Sequence, residues 1–541
     1  MISVGIKSDN LWKKYRKDDM TIYLKGKFYS CTVNELLLRL KNIERDSVAV
    51  IICSLDGSFS FVIESSEFCL LVVDKVRSSP LFFTEINEDI FIDHHPRNLV
   101  NKKKFNKEIN ANSMIEVFMS GYTIGSKTIY KNLHSLRAGE IVIFSNNNYK
   151  RIQYYKYFNQ LNHGAKENLI EELSEVTINV FKKMIKGLNG RQIIIPLSAG
   201  NDSRLVASVL KYIGVENVKC YSYGTPGNHE AKIAEIISRK LGYQWIFVPL
   251  SHKSEKEYYT SKDYKKFLDF SETFSSVPFI QGLSTIKYLK EMRWIDDDAV
   301  FINGNSGDFI SGGHAPNLEI ELSAGNDFKC KKEFFTDSII NKHFSLWGHL
   351  KTKENIKKIK ETLWGEIIDS HIDLNGPVES HQLYEYSEFI DRQSKYVISG
   401  QRTYEFYGHE WRMPLWDDEY LYFWQKIPYQ YKENQNLYKD MLKKKNFANV
   451  WRNIPVNKKT ITPKWIIPVR FLLKIPFGLF GKRGGEAWKG FERGALYYWM
   501  DVTHMMDSVG IKRIARDFYK SPRHHVSWLS SKFVSKYSDN E

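Results

Sequence analysis

The chain has 541 residues, more than one ordinary domain holds, and 42% of them are hydrophobic and 14% aromatic, so packed cores are expected and disorder is excluded. Lys and Arg outnumber Asp and Glu by 78 to 63, a net charge of +15. Such a balance suits a nucleic acid, an anionic membrane surface or a phosphorylated substrate, but without a long polybasic tail solvated faces are the simpler reading.

The five cysteines, at 31, 53, 69, 220 and 330, are scattered and form no CxxC pair, which fits a reducing compartment without a cysteine zinc site. MISVGIKSDN has no apolar signal core, and no run reaches the ~18 apolar residues of a spanning helix. A cytoplasmic location is expected.

From Met1 to about Tyr157 the chain reads as strands, with runs such as SVAVIICSL, SFSFVI, FCLLVVDKV, LFFTEI, DIFIDHH and EIVIFS between turn residues. These predict layered antiparallel sheets. A polar, Gly-containing boundary, NQLNHGAKEN, falls near residues 158–168, dividing a domain over 1–160 from one over 165–541. Beyond it, helical periods alternate with strands: ENLIEELSEVTINVFKKMI, RQIIIPL, SRLVASVLKYIG, VKCYSYG and EAKIAEIISRKLG. That alternation predicts a parallel sheet with helices on both faces. After Phe328 the chain is mostly helical and has no internal repeat. The apolar run WIIPVRFLLKIPFGLFG from Trp465 is broken by Arg470, Lys474 and two prolines; we expect it buried or packed by loops, with a membrane-surface contact as the alternative.

The chemistry concentrates at three strand ends. IIIPLSAGNDSRL runs a β-branched strand into a small turn and then a helix, the arrangement that aims free backbone N–H groups and a helix dipole at an anion. Ser198, Ala199, Gly200 and Asn201 let the backbone close on a phosphate, and the Ser198 and Ser203 hydroxyls add donors. Asp202 would repel phosphate without a cation between them, and so suggests Mg²⁺. The strand ending in Tyr223 and Gly224 leads into TPGNHE, and AVFINGNSGDFISGGH sets Asn303, Gly304 and further glycines around a second carboxylate, Asp308. Three such turns in one half of the chain predict a polyphosphate site.

LSAGNDSR resembles the pyrophosphate loop LSGGxDS of the asparagine synthetases, within the ATP pyrophosphatase group. In the same order, YSYG with Glu230 and KLG resembles the family's second strand and helix, and NGNSGDFISGGH resembles SGEGADELFGGY. HEWRMPLWDDEYLYFWQKIP from His409 is similar to LEVRVPFLDxxLxxFxxxLP, and VNKKTITP to the lysine-bearing loop. In the first half, LDGSFSF at Leu55, VDKVRSSPLFF at Val73 and SGYTIGSKTIYKNLHSLRAGE at Ser120 look like the glutaminase-domain motifs LNGEFAF, RDRLGIKPLYY and LGYVPGPRTLFKGVRKLPPGH. The resemblance implies an N-terminal Ntn-hydrolase-like αββα sandwich followed by a doubly wound ATP-pyrophosphatase domain with a helical extension.

It also implies a two-step ligase that uses ATP and Mg²⁺ to activate a carboxylate as an acyl-adenylate before an amine displaces AMP. Ser198, Gly200 and Ser203 would hold pyrophosphate, Asp202 and Asp308 the Mg²⁺, and Lys458 or Lys459 the charge at the adenylate. Asn303 and Gly304 would line the adenine and ribose side, and Glu230 would orient the loop. Departures from the pattern qualify this. The family's nucleophilic Cys is replaced by Ile2, its glutamine-carboxylate motif is not recognisable, and Asp56 stands at the Asn of the oxyanion hole, so glutaminase activity is expected to be lost. Asn305 replaces a Glu linked to proton transfer, leaving His314, His409 or Glu410 as substitute bases.

Relatives that close β-lactam or lasso-peptide rings use an amine on the substrate itself; free ammonia and a separate donor protein are the other sources. SxGxDSR with YSYG and GxSGDFxxG is similar to proteins of bacterial surface-polysaccharide clusters, which implies a uronic acid acceptor on a nucleotide or lipid carrier. Aspartate, a specialised macrolactam substrate and a non-catalytic scaffold are the alternatives. No nucleic-acid partner is expected, and a homodimer is left open.

Overall fold

The computed structural model of the chain describes residues 1–9, 11–41, 47–145, 148–158, 166–317, 327–374, 378–456 and 460–538. Its N-terminal part contains strands β1 (Ile2–Val4), β2 (Trp12–Lys17), β3 (Met20–Phe28), β4 (Gly57–Glu64), β5 (Cys69–Val73), β6 (Phe82–Ile86), β7 (Asp89–Asp93), β8 (Leu133–Ser135), β9 (Glu140–Ser145) and β10 (Asn148–Gln153). They form a six-stranded antiparallel sheet, β10-β9-β5-β4-β3-β2, and a four-stranded sheet, β1-β7-β6-β8.

Period-two alternation separates the faces of the larger sheet. Ile22, Leu24, Phe61, Ile63, Leu70 and Val72 pack on Leu36, Leu37 and Ile52 of helices Val33–Lys41 and Val48–Cys53. Their neighbours Tyr23, Val62, Leu71 and Val73 meet Phe83 and Ile92 of the smaller sheet. The smaller sheet's other face, with Phe82 and Ile86, packs on Leu99, Met114 and Val117 of helices Pro96–Val100 and Ala111–Ser120. The layers are therefore helix, sheet, sheet, helix, the αββα sandwich expected from the motifs. One run differs from its reading: VAVIIC is a helix, not a strand, because Val48 and Ile52, one turn apart, both bury on the sheet.

The C-terminal part carries a parallel sheet of β11 (Ile193–Pro196), β12 (Val218–Gly224), β13 (Gln244–Pro249), β14 (Val300–Ile302) and β15 (Glu410–Arg412), in the order β13-β12-β11-β14-β15. Ile193, Ile195 and Cys220 bury on one face and Ile194, Tyr221 and Phe301 on the other, so both faces are covered. The chain reverses its direction of winding between β11 and β14, which is where ligands bind in open parallel sheets.

The run from Trp465 is not buried. Helices Ile466–Gly478 and Gly481–Phe491 form a hairpin that covers Ile466 and Trp488 and leaves most of the first helix in solvent. The expectation of burial fails because hydrophobicity alone does not supply a covering element. Among the described residues, no helix is long and apolar enough to cross a membrane.

Buried charges stitch the two halves together. Lys25 reaches Glu405 at 2.6 Å, and Lys75 reaches Asp418 at 2.6 Å. Arg77 donates to the Ser394 carbonyl at 3.1 Å, and Lys395 donates to the Thr123 carbonyl at 2.6 Å.

Candidate active site

The SAGNDS turn leaves the end of β11 and starts the helix Asp202–Tyr212. Its hydroxyls fold inward: Ser203 Oγ lies 3.0 Å from Ser198 Oγ and accepts from Ser198 N at 3.0 Å, while Ser198 Oγ accepts from Gly200 N at 3.2 Å. The turn is thus pre-shaped by its own serines. The first amides of the helix, lacking intrahelical partners, point out of its positive end.

The turn after β14 packs directly on this one. A Cβ at Gly304 would lie 2.6 Å from the Asp202 carbonyl carbon, and a Cβ at Gly307 would lie 2.8 Å from Asp202 Cγ. At Gly304 the obstruction is backbone and only hydrogen fits, whereas at Gly307 it is the Leu415 and Asp202 side chains. That close approach brings Asp308 beside Asp202, two carboxylates from different strand ends on one cavity floor.

Their surroundings differ. Burial pushes the Asp202 carboxyl above its ordinary range, the Asp308 charge pushes it further, and the one hydroxyl that bonds it, Tyr438 at 2.9 Å, does not compensate. The Asp308 side chain is exposed to the cavity, and His314, 2.9 Å away, outweighs the desolvation it feels and holds the carboxyl low. His314 is clamped on its other nitrogen by buried Glu388, which also takes bonds from His343 at 3.0 Å and Gln393 at 2.8 Å. Burial would lower the His314 pKa, yet the Glu388 and Asp308 carboxylates raise it to about 9. Both ring nitrogens of His314 are thus engaged by carboxylates, which favours the imidazolium.

Asp202 has no cation within ion-pair distance among the described residues, although a like charge adjoins it. Two converging carboxylate oxygens at a helix N-terminus form a hard donor set that fits Mg²⁺ carried with a polyphosphate.

The cavity above this floor has a volume of about 900 Å³. Ser198, Ala199, Gly200, Asn201, Asp202, Ser203, Tyr223, Asn303, Gly304 and Asp308 all line it, as does Glu230 in the first turn of the helix His229–Leu241. Gly224 stands just behind, at φ +122°, where a side chain would collide with the Val502 carbonyl. Of the three substitute bases, only His314 reaches the cavity. His409 is buried with Nδ1 3.2 Å from the Ala299 carbonyl, and Glu410 is paired with Arg191 and Arg412, each at 2.8 Å. Lys458 and Lys459 lie outside the described residues.

Several lining groups carried no signal in the sequence. Arg392 and Gln393 come from a π-helical stretch, Glu388–Val397, more than 180 residues after the loop they face. Tyr497, Asp501, Val502 and Thr503 return from the C-terminal extension to wall the cavity. This extension is fastened where His252 Nδ1 meets Asp507 at 2.6 Å and His504 Nε2 meets Thr225 at 3.1 Å. Arg204 also escaped notice: fully buried, it donates to the carbonyls of Ala199 at 3.0 Å, Ile454 at 3.0 Å and Pro455 at 2.7 Å. It ties the phosphate-type turn to the strand of chain that leads to Lys458.

Comparison with known proteins agrees with this architecture. A family model described as a glutamine amidotransferase domain matches residues 21–156, and one described as asparagine synthase matches residues 190–446. The chain is an asparagine-synthetase-like protein. Curated relatives of this asparagine-synthetase-like chain include the microcin J25-processing protein McjC of Escherichia coli, 24% identical over 56% of each chain. A putative glutamine-hydrolyzing asparagine synthetase of Methanocaldococcus jannaschii is 23% identical over 53% of this chain and 55% of its own. The match thus spans about half the length of each relative. Among solved structures, a glutamine phosphoribosylpyrophosphate amidotransferase from B. subtilis, complexed with ADP and GMP, matches 56% of this chain and 60% of its own at 9% identity. Its TM-score of 0.17 carries no argument about the fold.

Proposed function

We propose that the chain is an ATP-dependent carbon–nitrogen ligase with a glutaminase-like domain that has lost its activity. The convergence of Asp202 and Asp308 beneath the SAGNDS turn carries this reading, because two carboxylates beside an anion-binding helix end make sense with a metal-bound polyphosphate. Mg²⁺, held by Asp202 and Asp308, would neutralise charge on the leaving pyrophosphate. The Ser198–Ser203 turn would bind that pyrophosphate through its amides and hydroxyls while Asn303 and Gly304 line the nucleoside side.

In the first step a substrate carboxylate oxygen attacks the α-phosphorus of ATP, the bond to the β-phosphate breaks, and an acyl-adenylate forms. In the second, an amine attacks the acyl carbon and AMP leaves. His314, protonated between Asp308 and Glu388, acts as a fixed cation that orients Asp308. Lys458 or Lys459 neutralises the adenylate.

The loss of glutaminase activity rests on Asp56. Its carboxylate pairs with Lys183 at 3.0 Å, and Lys183 also binds Asp417 at 2.7 Å, so the residue at the oxyanion position is a negatively charged strut between the domains. A carboxylate there repels a developing oxyanion. A uronic acid on a nucleotide or lipid carrier is our proposed acceptor, supported by the SxGxDSR, YSYG and GxSGDFxxG variants of the motifs. A second reading, ring closure using the substrate's own amine, is favoured by the likeness to a microcin-processing protein.

The deciding assay follows pyrophosphate and AMP release from Mg-ATP with ammonium or glutamine, across nucleotide-linked uronic acids, aspartate and carboxylate-bearing peptides. Release with ammonium and not with glutamine supports the reading. Equal release with both overturns the loss of glutaminase activity. A folded protein that binds no ATP overturns the ligase.

A further inference from the structure

The hairpin of residues 466–491 leaves the body of the chain between two segments that wall the cavity, Thr460 and Thr462 before it and Tyr497 to Met505 after it. It has a small core of its own, with Ile466, Trp488 and Leu496 buried and Phe477 and Phe491 packed against them. Gly484 permits the tight crossing, since a side chain there would collide with the Phe477 carbonyl. The two helices are therefore packed on each other, yet the outer side of the first is apolar and open to solvent. Phe471 is 70% exposed, Leu479 82% and Phe480 71%, with Ile467, Leu472 and Ile475 alongside. Such a contiguous patch marks an interaction surface.

The charges around it identify the occupant. Lys464, Lys474, Lys482 and Arg483 surround the apolar residues, all exposed and none in an ion pair among the described residues. Arg470 and Lys489, in contrast, are neutralised inside the hairpin by Glu492 and Glu486. Free cations ringing a band of Phe, Leu and Ile match the boundary between anionic headgroups and acyl chains, where apolar side chains insert and lysines stay at the phosphates. Trp465, at the start of the helix and more than half exposed, belongs to the residue type that settles at this depth. A helix of this length and charge lies in the interface and does not span it.

We propose that this hairpin docks the chain on the surface of an anionic lipid bilayer, with the first helix lying in the headgroup region. Because the hairpin joins both walls of the cavity, docking sets the cavity mouth beside the membrane. The inference does not depend on the ligase reading.

The test uses the full chain and sedimenting vesicles of phosphatidylcholine with or without phosphatidylglycerol. We expect co-sedimentation with the anionic vesicles only, weakened by raised salt. Tryptophan emission should shift to the blue and be partly quenched by brominated lipid, and Trp465→Phe should remove most of that change. Phe471→Ser/Leu472→Ser/Phe480→Ser should weaken partitioning about ten-fold or more, and Lys474→Glu/Lys482→Glu/Arg483→Glu should remove the preference for phosphatidylglycerol. All six side chains face solvent, so an unchanged thermal midpoint should accompany the loss. A wild-type chain that stays in the supernatant overturns the proposal, as does a triple serine variant that partitions like wild type. Self-association that the serine variant dissolves, without vesicle binding, assigns the face to a second copy and also overturns it.

Discussion

Gly307 touches Asp202 so closely that an added methyl group would lie 2.8 Å from the Asp202 carboxyl carbon and 2.5 Å from Leu415 Cδ1. Both neighbours are side chains and can yield. At Gly304 the obstruction is Asp202 backbone, 2.6 Å away, which cannot. Gly307→Ala should therefore cost little stability but swing the carboxylate away and depress pyrophosphate release. Gly304→Ala should cost about 1–3 kcal/mol through overpacking as well. Thermal melts beside the release assay check the ranking, and equal stability of the two variants would refute it.

Asp202 is held above the ordinary carboxylate range by burial and then by Asp308, so its negative charge opposes folding when no cation is bound. Asp202→Asn keeps the shape and the bond from Tyr438 while removing that charge. The variant should melt higher than wild type without nucleotide, yet lose turnover by about a hundred-fold or more. A lower melting point with unaltered turnover would mean that Asp202 is structural.

This pairing explains how much the sequence disclosed. SAGNDS and NGNSGDFISGGH were legible because strand, small-residue turn and helix follow one another within a dozen residues, so local physics sets their geometry. Ile193–Pro196 and Val300–Ile302 are strands as read; that they pair in parallel, so that the turns meet, comes from the structure. Glu388, Arg392 and Tyr438 were not legible. Only tertiary packing brings Arg392 to the cavity, Glu388 to His314 and Tyr438 to Asp202. The same holds in reverse for residues 466–478, where a strongly apolar run suggested burial that no neighbouring element provides. Asn305 left His314, His409 and Glu410 open as substitutes, and the sequence could not show that His314 is bound between Asp308 and Glu388 or that Glu410 is paired with Arg191 and Arg412.

Among the described residues Arg204 has no carboxylate partner; its buried guanidinium is held by backbone carbonyls and stacked over Trp451, and burial lowers its pKa to about 10. Arg204→Ala would strand several buried acceptors, each at about 1–3 kcal/mol. Arg204→Lys keeps the charge but cannot reproduce the planar fork. We expect the alanine variant to unfold several degrees earlier, given losses of this size. The lysine variant should remain folded with reduced turnover, because Ile454 and Pro455 lose their anchor ahead of Lys458. Full activity in the lysine variant would show that this clamp does not position the lysine-bearing segment.

His134 predicts how stability responds to acid. It stacks on Phe83 with ring centroids 5.0 Å apart, and burial, assisted by the Arg151 charge, lowers its pKa from 6.5 to about 4. Between those values the unfolded chain binds a proton that the folded chain refuses, so stability is complete above about pH 6.5 and is lost as the pH falls toward 4. The slope from this one residue is about 1.4 kcal/mol per pH unit. His134→Gln removes the titration and should flatten the acid limb of the denaturant-derived stability curve by about that amount. If instead the variant steepened the curve, or left it unaltered, His134 would have to be protonated in the folded chain, with its charge accommodated beside Arg151.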